Sequence, residues 1–97
     1  MASNFQIISF KNKESLHLRL SGDFDEHSAH DLINTLKKYN TDFLDIFIDT
    51  TDLKTVDPVG RFVFQKNLSG INKQLNNLIF VGANKYEIIP IHEEYLL

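Results

Sequence analysis

From Phe5 onward, apolar positions mark the elements before any composition is counted. Phe5, Ile7, Ile8 and Phe10 read as a first half-buried strand ending at Phe10. Lys11-Asn12-Lys13-Glu14 is a polar turn. In the next strand Leu16, Leu18 and Leu20 alternate with His17 and Arg19, so one face is buried and the other wet, and Ser21-Gly22 is expected to end it. The period then lengthens. Ala29, Leu32, Ile33, Leu36 and Tyr39 fall on one side of a helix with Asp25 as its N-cap. Asp25, Glu26 and Asp31 near its start and Lys37-Lys38 near its end oppose the helix dipole, each contributing up to about 1 kcal/mol. Phe43 to Ile48 is nearly all apolar apart from Asp45, as in a central strand covered on both faces.

Asp57-Pro58 predicts the start of a second helix, because Asp caps well and Pro at the first helical position has its φ preset and no N–H to leave unbonded. That helix runs through Arg61, Phe62, Val63, Phe64, Leu68, Ile71 and Leu75, with Gly70 a weak point inside it. Leu78 to Val81 is a fourth strand closed by Gly82. Asn84-Lys85-Tyr86-Glu87 opens a short helix cut by Pro90, and Ile91 to Leu97 carries no pattern. The order β-β-α-β-α-β-α predicts an α/β fold: a mixed four-stranded sheet with helices packed on one face.

Composition narrows the function classes. A chain of 97 residues with 42% hydrophobic residues and 8 Phe is expected to form one domain over residues 1–97 around one core. Ten Lys and Arg against 13 Asp and Glu leave a net charge of -3, which argues against tight nucleic-acid binding. The absence of Cys excludes disulfides, thiolate nucleophiles and Cys-type zinc sites. No basic, apolar leader opens the chain and no apolar run approaches the roughly 20 residues of a membrane span, so a cytoplasmic protein without membrane insertion is expected.

Few residues suggest catalysis. Asp23, Asp25, Asp49, Asp52 and Asp57 fall near strand ends, where a Mg²⁺ or aspartyl-phosphate site would want them, but Asp25 and Asp57 have helices to cap and Asp52 reads as a turn residue. His27 and His30 are two potential ligands on one helix, too few for a metal site. The four glycines, at 22, 60, 70 and 82, are scattered rather than grouped into a phosphate cradle. No cofactor or metal is expected. The second helix carries too many apolar residues for one buried stripe. Phe62 and Phe64 lie about 200° apart around it, so one of them is expected to face a partner unless both sides are covered.

Ser21-Gly22-Asp23-Phe24-Asp25 followed by Ser28-Ala29 resembles the Gly-Glu-Leu-Asp opening of STAS domains, the fold of anti-sigma factor antagonists and of sulphate-transporter modules. Phe47-Ile48-Asp49-Thr50-Thr51, then Leu53 and Val56-Asp57-Pro58-Val59-Gly60, resembles that family's third strand and its Asp-Ser-Ser-Gly helix start. Leu78-Ile79-Phe80-Val81-Gly82 resembles its fourth strand. The resemblance implies a non-enzymatic regulatory module with a protein partner such as an anti-sigma factor kinase or phosphatase. It also exposes a departure. In the family's antagonists the serine before the Gly is the phosphorylated residue, whereas here Val59 holds that place and Pro58 precedes it, so neither offers a hydroxyl. Thr50, Thr51 and Thr55 are the alternative hydroxyls nearby.

The expected partner surface is therefore Asp23, Asp25, Lys54, Thr55, Val59, Arg61 and Phe62 or Phe64, with Asp25 and Asp57 as caps that shape the loops. Two other readings stay open: a small-ligand, nucleotide or transporter-associated module, and an Asp-dependent phosphotransfer receiver acting through Asp49.

Overall fold

The computed structural model describes residues 4–39, 45–71 and 77–89. Four strands, β1 (Gln6–Lys11), β2 (Ser15–Phe24), β3 (Asp45–Val56) and β4 (Asn77–Val81), form a mixed sheet in the order β1-β2-β3-β4. The β1–β2 pair is antiparallel and the β2–β3 and β3–β4 pairs are parallel, as crossovers through α1 (Glu26–Lys38) and α2 (Pro58–Ile71) require. A short α3 (Lys85–Ile88) follows β4. The expected fold class is the observed one.

The core lies between the sheet and the helices. Leu16, Leu18 and Leu20 of β2, Ile46 and Ile48 of β3 and Phe80 of β4 meet Ala29, Leu32, Ile33 and Leu36 of α1 and Phe64, Leu68 and Ile71 of α2. Edge-to-face ring contacts run from Phe5 to Phe24 (5.7 Å), Phe24 to Phe64 (6.0 Å) and Phe64 to Phe80 (6.1 Å), tying both edges of the sheet to α2. Phe64 is fully buried, and Phe62 is 63% exposed.

Several expectations need correction. Strand β2 does not stop at Ser21-Gly22. It continues to Phe24 because β3 pairs with it throughout, and Gly22 supplies the positive φ of 89° that the path needs. For the same reason Asp52 sits in β3, opposite Ser21, rather than in a turn. Strand β3 has 12 residues against 10 in β2, and register shifts after Arg19 and after Gly22 absorb the surplus. The Asn84 side-chain amide bonds the Thr50 and Leu53 carbonyls of this irregular stretch. Strand β3 is central but is not covered on both faces, since the described helices all join the core on one side. Strand β1 also divides differently: Ile7 packs against the core, whereas Ile8 and Phe10 are exposed on the far face. Phe43, Leu75, Pro90 and the segment 91–97 lie outside the described residues.

Candidate functional site

The paired ends of β2 and β3 bring two helix starts side by side. Phe24 closes β2 opposite Val56 of β3, and each strand then hands the chain to one Asp and a helix. The Asp57 backbone N–H donates to the Phe24 carbonyl at 2.8 Å, fastening the second start to the first. At the first start, an Asp25 carboxylate oxygen accepts from the Ser28 backbone N–H (2.9 Å) and from the Ser28 hydroxyl (3.0 Å). The hydroxyl is also 2.9 Å from the Asp23 carbonyl, a second acceptor for its single proton. At the second start, the Asp57 carboxylate accepts from the Val59 N–H at 3.2 Å. Both expected caps are in place. The Ser28 N–H, with smaller help from the Ser28 hydroxyl and His27, holds the Asp25 carboxyl below the usual carboxylate range against a partial desolvation cost.

Gly60 makes the close approach possible. A Cβ at this position would lie 2.6 Å from the Asp25 carbonyl carbon and oxygen, inside any allowed contact, so the first turn of α2 rests directly on the backbone of the α1 cap. Asp23 and Thr55 connect the two strands just below: the Thr55 hydroxyl donates to the Asp23 carboxylate at 2.7 Å. The Asp23 N–H in turn donates to the Asn4 side-chain oxygen at 3.0 Å.

The solvent side of this junction presents an apolar pair. Val59 is 52% exposed, and Phe62, one turn on along the same side of α2, projects beside it with the Lys66 ammonium 5.9 Å from its ring centre. Lys54 and Pro58 are exposed and Arg61 is half-buried. Phe64 belongs to the core and leaves the expected surface set, because the α2 side it occupies faces the sheet. Sequence spacing alone left open which of the two Phe pointed outward, and the contact with Phe24 and Phe80 decides it.

The threonines differ in access. Thr50 is fully buried and donates to the Val81 carbonyl at 2.9 Å, so it offers no hydroxyl to another protein. Thr51 is exposed but bonded to Asp49 at 2.7 Å, and Thr55 is exposed beside the twin helix starts. The five aspartates do not gather. Asp23, Asp25 and Asp57 serve the junction, while Asp49 lies on the open face of the sheet, held below the usual carboxylate range by Thr51 and, to a lesser degree, Arg19. Among the described residues no group of three His, Asp or Glu is arranged to hold a metal ion, and His27 and His30 are exposed on α1. No described helix is long and apolar enough to cross a membrane.

With strand order, crossovers and paired helix starts established, the architecture can be matched to solved structures. A STAS-domain antisigma-factor antagonist from Rhodobacter sphaeroides superposes with a TM-score of 0.63 over 95% of this chain and 96% of its own, at 15% identity. The fold is that of the anti-sigma factor antagonists. The Bacillus cell-fate determinant SpoIIAA in its phosphorylated form matches with a TM-score of 0.59, covering 93% of both chains at 14% identity. Part of a larger protein is similar as well: Mglu matches 75% of this chain with a TM-score of 0.66 and 14% identity, and the match spans 18% of Mglu. No family profile and no curated protein sequence matches the chain.

Proposed function

We propose that this chain is a non-enzymatic regulatory module of the anti-sigma factor antagonist type that binds a protein partner through the start of α2. The observation that carries the proposal is the exposed Val59–Phe62 pair on the first turns of α2, with Arg61 next to Phe62 in the chain and the Lys66 ammonium near its ring. A large ring held at the surface of a rigid helix is the kind of anchor that carries much of a binding energy, and the neighbouring cations suit acidic groups at its rim. Asp23, Asp25, Thr55 and Asp57 shape this surface through the bonds described above.

The same surface supports binding that is not switched by phosphate at the usual helix-start position. Pro58 and Val59 are exposed there and neither has a hydroxyl, so a kinase partner would find no acceptor. Thr55 is the accessible hydroxyl nearest in sequence. Nucleotide binding at this place is disfavoured, because the carboxylates of Asp25 and Asp57 already occupy both helix N-termini where phosphates would sit. A receiver mechanism at Asp49 is disfavoured by its bonds to Thr51 and its place beside Arg19.

The test is mass spectrometry of the tagged chain recovered from its own cells, with Phe62→Ala in parallel. Unmodified chain accompanied by a stoichiometric regulatory kinase or phosphatase, lost in the variant, supports the proposal. Phosphate on Thr55 or Thr51 would show that the chain retains a phosphate switch at another residue, and equal recovery with Phe62→Ala would remove the α2 surface from consideration.

A further inference from the structure

The face of the sheet opposite the helices is built as two ordered rows. Cross-strand pairing puts Phe10, His17, Phe47 and Ile79 in one line across all four strands, and Ile8, Arg19, Asp49 and Val81 in the next. The first row is apolar and aromatic. His17 stacks on Phe47 with ring centres 4.6 Å apart and planes 13° from parallel, while Phe10 and Ile79 flank them, exposed at the sheet's edges. The second row has apolar ends and an opposite-charge pair at its centre. The Arg19 guanidinium leans over the Phe10 ring at 5.4 Å and comes only within 3.8 Å of the Asp49 carboxylate, a loose and partly exposed pair.

We propose that this open face binds a second copy of the chain, face to face, about a two-fold axis running along the strands between β2 and β3. Symmetry and charge decide the occupant and the axis. Such a rotation keeps each row opposite itself while exchanging β1 with β4 and β2 with β3. Phe10 then meets the partner's Ile79, and His17 meets the partner's Phe47. Ile8 meets the partner's Val81, Arg19 meets the partner's Asp49, and Asp49 meets the partner's Arg19. Every charge on the two rows finds an opposite charge, and every apolar group an apolar or aromatic one. A two-fold running across the strands would instead lay Arg19 on the partner's His17 and Asp49 on the partner's Phe47, desolvating both charges with no opposite charge across the interface.

Size sets the strength of the contact. With strands about 4.8 Å apart and residues about 3.3 Å apart along them, the two rows and their neighbours outline a patch roughly 20 Å across. That is at the low end of specific interfaces, so the dimer is reversible and depends on concentration. Its layers are helix, sheet, sheet, helix, with the inner sheets packed as in a β-sandwich. The Val59–Phe62 surface belongs to an outer layer and stays available, so this inference stands whether or not that surface binds a partner.

The test uses purified chain, with no ligand. Sedimentation velocity from about 1 µM to about 1 mM is expected to show a monomer–dimer equilibrium. Arg19→Asp makes positions 19 and 49 both acidic, and Asp49→Arg makes both basic, so each variant alone is expected to weaken self-association at least tenfold. An equimolar mixture is expected to restore it as a heterodimer, because an acidic face then meets a basic one. Thermal melting of each variant checks that it remains folded, and recovery in the mixture is itself a readout that misfolding would not produce. A wild-type chain that stays monomeric across the range would overturn the proposal, as would variants that dimerise like wild type or a mixture that remains monomeric.

Discussion

At the scale of single residues, the sharpest contrast is between two phenylalanines two positions apart. Phe64→Ala empties a site closed by Phe24 and Phe80, and a loss of about 3–5 kcal/mol in urea unfolding is expected. Phe62→Ala removes an exposed ring and is expected to change stability by no more than about 0.5 kcal/mol, while weakening partner binding at least tenfold by titration calorimetry. Asp25 carries a pH prediction. Its folded pKa is depressed mainly by the Ser28 N–H, so its stabilising effect is complete above the unfolded value near 3.8 and is lost as pH falls through the folded value. Asp49, depressed chiefly by the Thr51 hydroxyl, acts in the same window with the same sign. Asp25→Asn keeps a good cap but removes the titration, so melting temperatures are expected to match wild type at neutral pH within a few degrees and to fall less steeply toward pH values below about 4. Both caps were legible in the sequence, because an Asp directly before a helical pattern has one dominant use. The choice between Phe62 and Phe64 was not, since periodicity gives angles around a helix axis and no origin for them.

At the scale of elements, the fold depends on how closely α1 and α2 begin. Gly60→Ala places a methyl 2.6 Å from the Asp25 backbone, which has no flexible end to move aside, and a loss of about 1–3 kcal/mol with displacement of the α2 start is expected. Denaturant midpoints measure the loss, and amide exchange at Ser28 and Arg61 reports whether both helix starts open together. Gly70 is the opposite case. A Cβ there meets nothing within 4 Å, so Gly70→Ala is expected to stabilise the chain by about 0.5–1 kcal/mol through the unfolded state alone. The helices and the four strands follow from periodicity, and the starts of α1 and α2 fall where the Asp caps put them. The extensions of β2 past Ser21-Gly22 and of β3 past Ile48 do not, because polar Asp23, Asp52 and Thr55 are held in the sheet by pairing with each other's strands rather than by their own preference. The register shifts that make this possible need a distant helper, the Asn84 amide on two β3 carbonyls.

At the scale of the whole molecule, the sheet separates two surfaces that are expected to act independently. Phe62→Ala should leave the monomer–dimer equilibrium unchanged, and Arg19→Asp should leave the affinity of one chain for a partner at the α2 start unchanged; light scattering and calorimetry on both variants would reveal any coupling. The sequence by itself determined the order of elements, the faces of β2 and α1 that enter the core, the two Asp caps and the lack of a hydroxyl at positions 58 and 59. These are local properties, set by backbone geometry, periodicity and side-chain chemistry over a few residues. Only the tertiary structure decided that the two helix starts share a junction at Gly60, that Phe62 rather than Phe64 reaches solvent, and that Arg19 and Asp49 stand beside an aromatic row. Those facts depend on which strands pair and in what register, and pairing between distant segments is set by the packing of the whole core rather than by any one stretch of the chain.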